Sequence, residues 1–508
     1  MLGFDAAEYA LIQSLIARGK LPVLARLMQR GCTGRLNSPA SYYSGAVWPT
    51  FYTGQAPPWH GIYHNKLWRP SRMCCVVPDD LAFLARPFWE SFGGSGIRSC
   101  IADIPLILGK PRPIDGVYLG GWATHDPMLN GSTPCNLWRE LRREFGAREM
   151  PRENFGPQDA DSLQQLFGEL RRATEQFQRV ALSLLQRQAW DFSCIVFGAA
   201  HRAGHYLWDL GEVQDPQRLD ATRRALLEGA VELVYEWIDH AFGRLIEGLG
   251  SDVVVLVFSL HGMGPNSGWS DLVPAVLDAR TASLSRPIAR KGVLYSLRQR
   301  LRSNALRRLA RAIPPAMAAK LVPLWSARMF DWPRTAFFPL PMDLTAYMRV
   351  NLKGRERDGI VEPGAGYEQV CAELETFFLG LRDASTGDAI VRETLRAYAQ
   401  APLDAPQREG LPDLIVRWGE LRTRDVAALT CATLPGYTYQ VPGRLPSGRS
   451  GNHTPIGWFV ATGPGIPAAT QLPVQDILDL APTALHYLGF GLSPSLHGRR
   501  LPFETARP

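Results

Sequence analysis

The chain has 508 residues, 46% apolar and 20% charged, with 55 basic against 48 acidic side chains and a formal net charge of +7. That length and apolar share suffice for one large core or several smaller ones, and the charged share excludes a mainly membrane-embedded protein. No apolar run approaches the roughly 20 residues of a membrane span, no charged-then-apolar leader opens the chain, and the eight cysteines, scattered from Cys32 to Cys431 without CxxC spacing, read as reduced thiols, so a cytoplasmic location is expected.

The first element is a stub of strand at Leu2–Phe4, followed directly by Asp5. Helical spacing of apolar residues runs over 160–188 and again over 219–249. Four β-branched or apolar runs read as buried parallel strands: FSCIVF (192–197), VVVLVF (253–258), LIVRW (414–418) and WFVA (458–461). Strands alternating with helices predict an α/β sandwich around a mostly parallel sheet, with helices on both faces. Such sheets bind ligands at the carboxyl ends of their strands. Polar residues gather at just those ends: Asp5 after the first strand, His201 and His205 in FGAAHRAGHYLWD (197–209), His261 in SLHGMG (259–264), and His453 in GNHTPIGWFVATGPG (451–465).

The stretch from Arg280 to Arg334 differs in kind, since Asp331 is its only acid. Leu294, Leu297, Leu301, Leu306, Leu309 and Ile313 give it a partly amphipathic helical pattern. It reads as an insertion or cap over the sheet edge, dividing the chain into 1–279, 280–335 and 336–508. Its basic face is solvated, contacts a polyanionic substrate, or lies on a membrane surface.

Taken together, GFDAAEYALIQSLIARGKLPVLARLMQRG (3–31), SGAVWPTFYTGQAPPWHGIYHN (44–65), SLHGMG, RVNLKGRERDGIVEPGAGYEQV (349–370) and GNHTPIGWFVATGPGI (451–466) resemble the type I phosphodiesterase and nucleotide pyrophosphatase family of the alkaline phosphatase superfamily. The resemblance implies an alkaline-phosphatase-like fold and metal-dependent hydrolysis of a small-molecule phosphoric ester, a phosphodiester or a pyrophosphate. It places Asp5, the Ser44 nucleophile and His261 at one metal, and His201, His205 and His453 at a second, with Asn65 on a nonbridging phosphate oxygen. Two positions depart from the family's pattern: His201 stands where relatives carry an aspartate, and Leu260 replaces the aspartate of Asp-His-Gly.

Physical chemistry bears on these residues independently. His201 and His205, four positions apart, project from the same face of a helix turn and can grip one ion at about 2.0–2.1 Å each. With His453 they make a set of three neutral ligands suited to zinc, with manganese or iron as alternatives. Leu260 coordinates nothing, so the other position retains only Asp5, His261 and Ser44, and either one or two ions are expected. The bland readings make Asp5 or Ser44 a helix cap and His60 and His64 structural; His125 is a candidate for substrate contact. On function, transfer of a phosphoryl- or sulfuryl-type group, and a non-catalytic relative that binds a phosphorylated ligand, are the alternatives to hydrolysis. Ser44-Gly45-Ala46-Val47-Trp48 does not fit the frame of formylglycine sulfatases, and neither a P-loop nor a specific nucleic-acid motif is present.

Overall fold

FSCIVF is apolar throughout because both faces of the strand it forms are covered. In Phe192–Phe197, Ile195 and Phe197 point into one core with Phe4, Val257, Trp458 and Val460. Cys194 and Val196 point into a second core with Phe258, Phe459 and Ala461. This alternation follows from the two-residue period of a strand. The first core is completed by the helices Tyr9–Ala17, Pro22–Arg30, Ala160–Gln186, Ala199–Leu207 and Ala230–Ile246, the second by Val47–Thr53 and Leu480–Tyr487. These details come from a computed structural model, which describes residues 1–77, 86–107, 113–124, 131–151, 153, 156–283, 323, 326–327, 329–340 and 344–503.

Among the described residues the central sheet has ten strands. Across it run Thr470–Gln471, Cys32–Asn37, Ile456–Thr462, Val255–Ser259, Leu2–Phe4, Phe192–Phe197, Ser99–Ala102, Gly116–Gly120 and Gly131–Thr133, and the tenth, Gln475–Asp476, pairs with Cys32–Asn37 beside this row. Leu2–Phe4 pairs in parallel with both Val255–Ser259 and Phe192–Phe197. Those three adjacent strands therefore end at one edge, and Asp5, His201 and His261 follow them there. The mixed α/β architecture with a mostly parallel central sheet agrees with the fold class read from the sequence.

Three details differ from the sequence reading. The helical pattern over 219–249 is two helices, Ala221–Glu228 and Ala230–Ile246, which meet at Gly229, where the backbone lacks side-chain restraint. WFVA lies in Ile456–Thr462, which is antiparallel to both neighbours. LIVRW is absent from the central sheet: Leu414–Trp418 pairs antiparallel with Ala346–Val350 and Val391–Leu395, in a four-stranded sheet that also holds Phe337–Leu340. That sheet has a core of its own around Trp269, Leu374, Phe377, Leu414 and Val416. A short apolar run records burial, whereas strand direction is set by which partner the connecting chain can reach.

Residues 284–322, which carry the amphipathic basic pattern of the 280–335 segment, lie outside the described residues. No helix among the described residues is long and apolar enough to cross a membrane.

Trp458 ties the layers to the first loop. Its ring packs edge-on against Phe4, and its indole N–H donates to the Ala7 carbonyl at 3.0 Å. Trp458→Ala is expected to destabilise the chain by about 3–5 kcal/mol, as large core truncations do, read from the midpoint of equilibrium unfolding in urea.

Candidate active site

The strand-to-helix turn after Phe197 puts two histidines on one face. Ala199–Leu207 starts immediately after the strand, and His201 and His205 stand one turn apart with their ring nitrogens Nε2 and Nε2 3.0 Å from each other. His453 comes from the two-stranded ribbon Gly451–Thr454 with Gly262–Pro265, in which Met263 lies opposite His453. The ribbon presses tightly on the helix: a Cβ at Gly451 would lie 2.1 Å from the Gly204 carbonyl oxygen, so only glycine allows the approach. It carries His453 Nε2 to 3.3 Å from His201 Nε2 and stacks the His453 ring on His261 at 4.4 Å.

Hydrogen bonding settles the tautomers. His205 Nδ1 faces the Gly451 carbonyl at 3.0 Å, and a carbonyl only accepts, so Nδ1 carries the proton. His201 Nδ1 faces Asp5 Oδ2 at 3.0 Å and donates in the same way to the carboxylate. In the neutral rings, both Nε2 atoms then turn bare lone pairs toward one another. Neutrality is favoured: burial, followed by the field of Arg449 and the neighbouring His201 and His453 rings, holds His205 well below the ordinary imidazole range. Burial and the adjacent His261 and His201 rings do the same to His453. Two buried imidazoles and a half-buried third, with converging Nε2 atoms, form a donor set for a cation. Two nitrogens held by one tetrahedral ion sit about 3.3 Å apart, close to the spacings observed. His201, His205 and His453 form one cluster with metal-ligand spacing, and Asp5, His201 and His261 form another that shares His201.

Asp5 does not cap a helix; that work falls to Glu8, whose side chain accepts from Ala10 N–H. Besides His201, Asp5 accepts the indole N–H of Trp48 at Oδ1, 2.9 Å away, and His261 Nε2 lies 3.9 Å from the same oxygen. Trp48 stands one turn after Ser44, which opens a 3-10 turn at Ser44–Ala46 that runs into the helix Val47–Thr53. The backbone just before Asn65 packs on the Ser44 turn at Gly45, where a Cβ would lie 2.5 Å from the Tyr63 carbonyl and 2.8 Å from His64 Cα. The structure thus gathers Asp5, His201, His205, His261 and His453 into one cluster, and the Ser44 turn is tied to it through Trp48. Leu260 is buried among Trp48, Phe258 and Phe459.

Sequence reading missed Glu8, Trp48 and Arg449. The Glu8 carboxylate accepts from Thr454 Oγ1 at 2.9 Å and from Met263 N–H at 3.2 Å, which clasps both strands of the ribbon. Nothing in YALIQSLIA distinguishes such a clasp from an ordinary N-cap. His60 is structural: its Nδ1 accepts from Ile62 N–H at 3.0 Å, and its Nε2 lies 3.1 Å from Thr50 Oγ1. His64 accepts from Lys66 N–H. His125 lies outside the described residues.

A mostly parallel sheet with acid and histidine side chains at the carboxyl edge of three adjacent central strands is an alkaline-phosphatase-like fold carrying a metal-type cluster. The model of the type I phosphodiesterase / nucleotide pyrophosphatase family matches residues 1–416, and the chain belongs to that family. The assignment supports a phosphoester hydrolase, and the family is metal-dependent. Phosphonoacetate hydrolase from Sinorhizobium meliloti, solved with phosphonoformate, is similar in fold: 16% identity over 96% of this chain and 94% of that one, TM-score 0.51. Murine ectonucleotide pyrophosphatase/phosphodiesterase 5 is similar at 12% identity over 99% and 98%, TM-score 0.53. No curated protein matches the chain significantly in sequence.

Burial pushes His60 down to about 3, far below the 6.5 of a free imidazole. Below pH 6.5 the unfolded chain takes up a proton that the folded chain refuses until about pH 3, so stability falls on acidification through this window by about 1.4 kcal/mol per pH unit for this group. His60→Asn is expected to be less stable at pH 7 and to lose that increment of slope, checked by urea unfolding at several pH values.

Proposed function

We propose that this chain hydrolyses phosphoric esters, diesters or pyrophosphates, with a divalent ion of the zinc type on His201, His205 and His453 and with Ser44 as nucleophile. The single observation that carries the reading is the convergence of the Nε2 atoms of His205 and His453 on that of His201, at 3.0 and 3.3 Å, with the Nδ1 protons of His201 and His205 already committed to Asp5 and Gly451. Neutral imidazoles suit zinc, and manganese or iron are weaker matches to an all-nitrogen set. When bound, the ion supplies Lewis-acid stabilisation of phosphoryl oxygens and an acidified water.

The rest of the chemistry belongs to the chain. Ser44 Oγ attacks phosphorus, the P–O bond to the leaving group breaks, and the ester oxygen departs with a proton. Water then cleaves the phosphoseryl ester and returns Ser44 to its hydroxyl form. Asn65, which follows the Tyr63–His64 backbone packed on Gly45, donates its amide N–H to a nonbridging oxygen as charge builds there. Buried Trp48 and Asp5 hold the turn in register with the histidine cluster.

Purified enzyme is expected to hydrolyse bis(4-nitrophenyl) phosphate, to lose that activity on chelation, and to regain it with zinc. Chelator-treated, metal-free protein at full activity would exclude the reading. Ser44→Ala is expected to lower kcat by about 10³-fold or more, as loss of a nucleophile does; wild-type kcat in this variant would remove Ser44 from the mechanism. Asn65→Ala is expected to cost about 10²–10³ in kcat, with unchanged metal content as the control for folding.

A further inference from the structure

The second metal position implied by the family's pattern does not fit the residues present. Relatives bring two aspartates to it, and here one of them is Leu260, a buried apolar side chain in the same core cluster as Trp48 and Phe258. The remaining carboxylate, Asp5, receives the Trp48 indole N–H on Oδ1 and the His201 Nδ1–H on Oδ2. An ion placed among Asp5, His201 and His261 would meet the proton on His201 Nδ1, which points at the carboxylate. To bind there it would have to strip that proton and leave an imidazolate shared between two ions.

We propose that the chain holds one divalent ion, on the Nε2 atoms of His201, His205 and His453, and that Asp5 acts on that ion through the His201 ring instead of binding an ion of its own. The inference rests on the metal reading above and deepens it. Replacing the family's carboxylate at 201 by histidine lengthens the side chain. The ring then spans the gap, with Nδ1 on the Asp5 side and Nε2 on the side of His205 and His453. Asp5 thereby becomes a positioning residue. It fixes the tautomer and orientation of a ligand and makes its Nε2 more basic, as carboxylates behind metal-bound histidines do. Gly451 plays the same part behind His205 through its carbonyl oxygen. The substitutions at 201 and 260 then form one coordinated change: the first removes the free face of Asp5, and the second removes the other carboxylate.

The test is metal content by inductively coupled plasma mass spectrometry, with zinc affinity by competition against a chromophoric chelator, on wild type, Asp5→Asn and His205→Ala. One equivalent in wild type, retained by Asp5→Asn with affinity about 10–100-fold weaker, is the expected result. Two equivalents in wild type, whether separate or bridged by His201, overturn the proposal. So does an Asp5→Asn protein that binds zinc as tightly as wild type, because the carboxylate would then do nothing for the ion. The affinity readout separates this role from a merely structural one, and circular dichroism checks that each variant is folded. His205→Ala reports on the parent reading: if it keeps a tightly bound ion, the three-histidine site itself is wrong, and both proposals fail together.

Discussion

The hydrogen bond from His201 Nδ1 to Asp5 Oδ2 organises everything around it. A carboxylate can only accept, so the contact places the ring proton on Nδ1 and leaves Nε2 as a lone pair directed at His205 and His453. With His205 held to the Gly451 carbonyl in the same sense, neither ring has a proton to place between the two Nε2 atoms. Burial disfavours solving the conflict by protonating His205. A cation on the converging nitrogens would resolve it and repay the desolvation of the buried His201 and His205 rings.

That arrangement depends on backbone geometry set far from the histidines. Three parallel strands lie side by side, so loops from residues 5, 198 and 260 open at the same edge. His453 arrives from the opposite direction, on a ribbon running into an antiparallel strand. Its placement needs extra fastening, provided by Glu8 on Thr454 and Met263 and by the close approach of Gly451 to Gly204. Trp48 performs a similar task for the turn that carries Ser44, binding it to the carboxylate that accepts from His201. Each fastener spans residues remote in sequence, and each is short and rigid, as a site that must hold reacting groups to within a fraction of an ångström requires.

Exchanging carboxylates for histidine and leucine also changes the charge of the site. Four imidazoles and one carboxylate leave the local donor set less negative than a set with two further aspartates. An ion bound by neutral ligands keeps more of its positive charge for a phosphoryl oxygen or a water. Asp5 lies behind the His201 ring, so its charge would tune that ligand without neutralising a bound ion directly. The nearby Arg449 guanidinium, which hydrogen-bonds Glu153 at 2.7 Å, adds to the forces keeping His205 neutral.

The α/β class, the central strands FSCIVF and VVVLVF, the polar residues at their ends and the family were all legible in the sequence, because burial on both faces writes a continuous apolar run and the motifs stand in order along the chain. The helical spacing of His201 and His205 was legible for the same local reason. Other features depended on contacts between distant segments. LIVRW and WFVA are as apolar as parallel strands, yet they pair antiparallel, since direction belongs to the partner and not to the run. Asp5 could be read as a helix cap or as a ligand from its position alone; only the packing of Phe192–Phe197 against Leu2–Phe4 sets it opposite His201 Nδ1. Glu8 and Trp48 carried no signal because their partners lie 446 and 43 residues away. Sequence by itself determined which side chains reach the sheet edge. The tertiary structure decided which atom of each faces which neighbour, because tautomer and ligand geometry are set by distances that exist only once the strands are side by side.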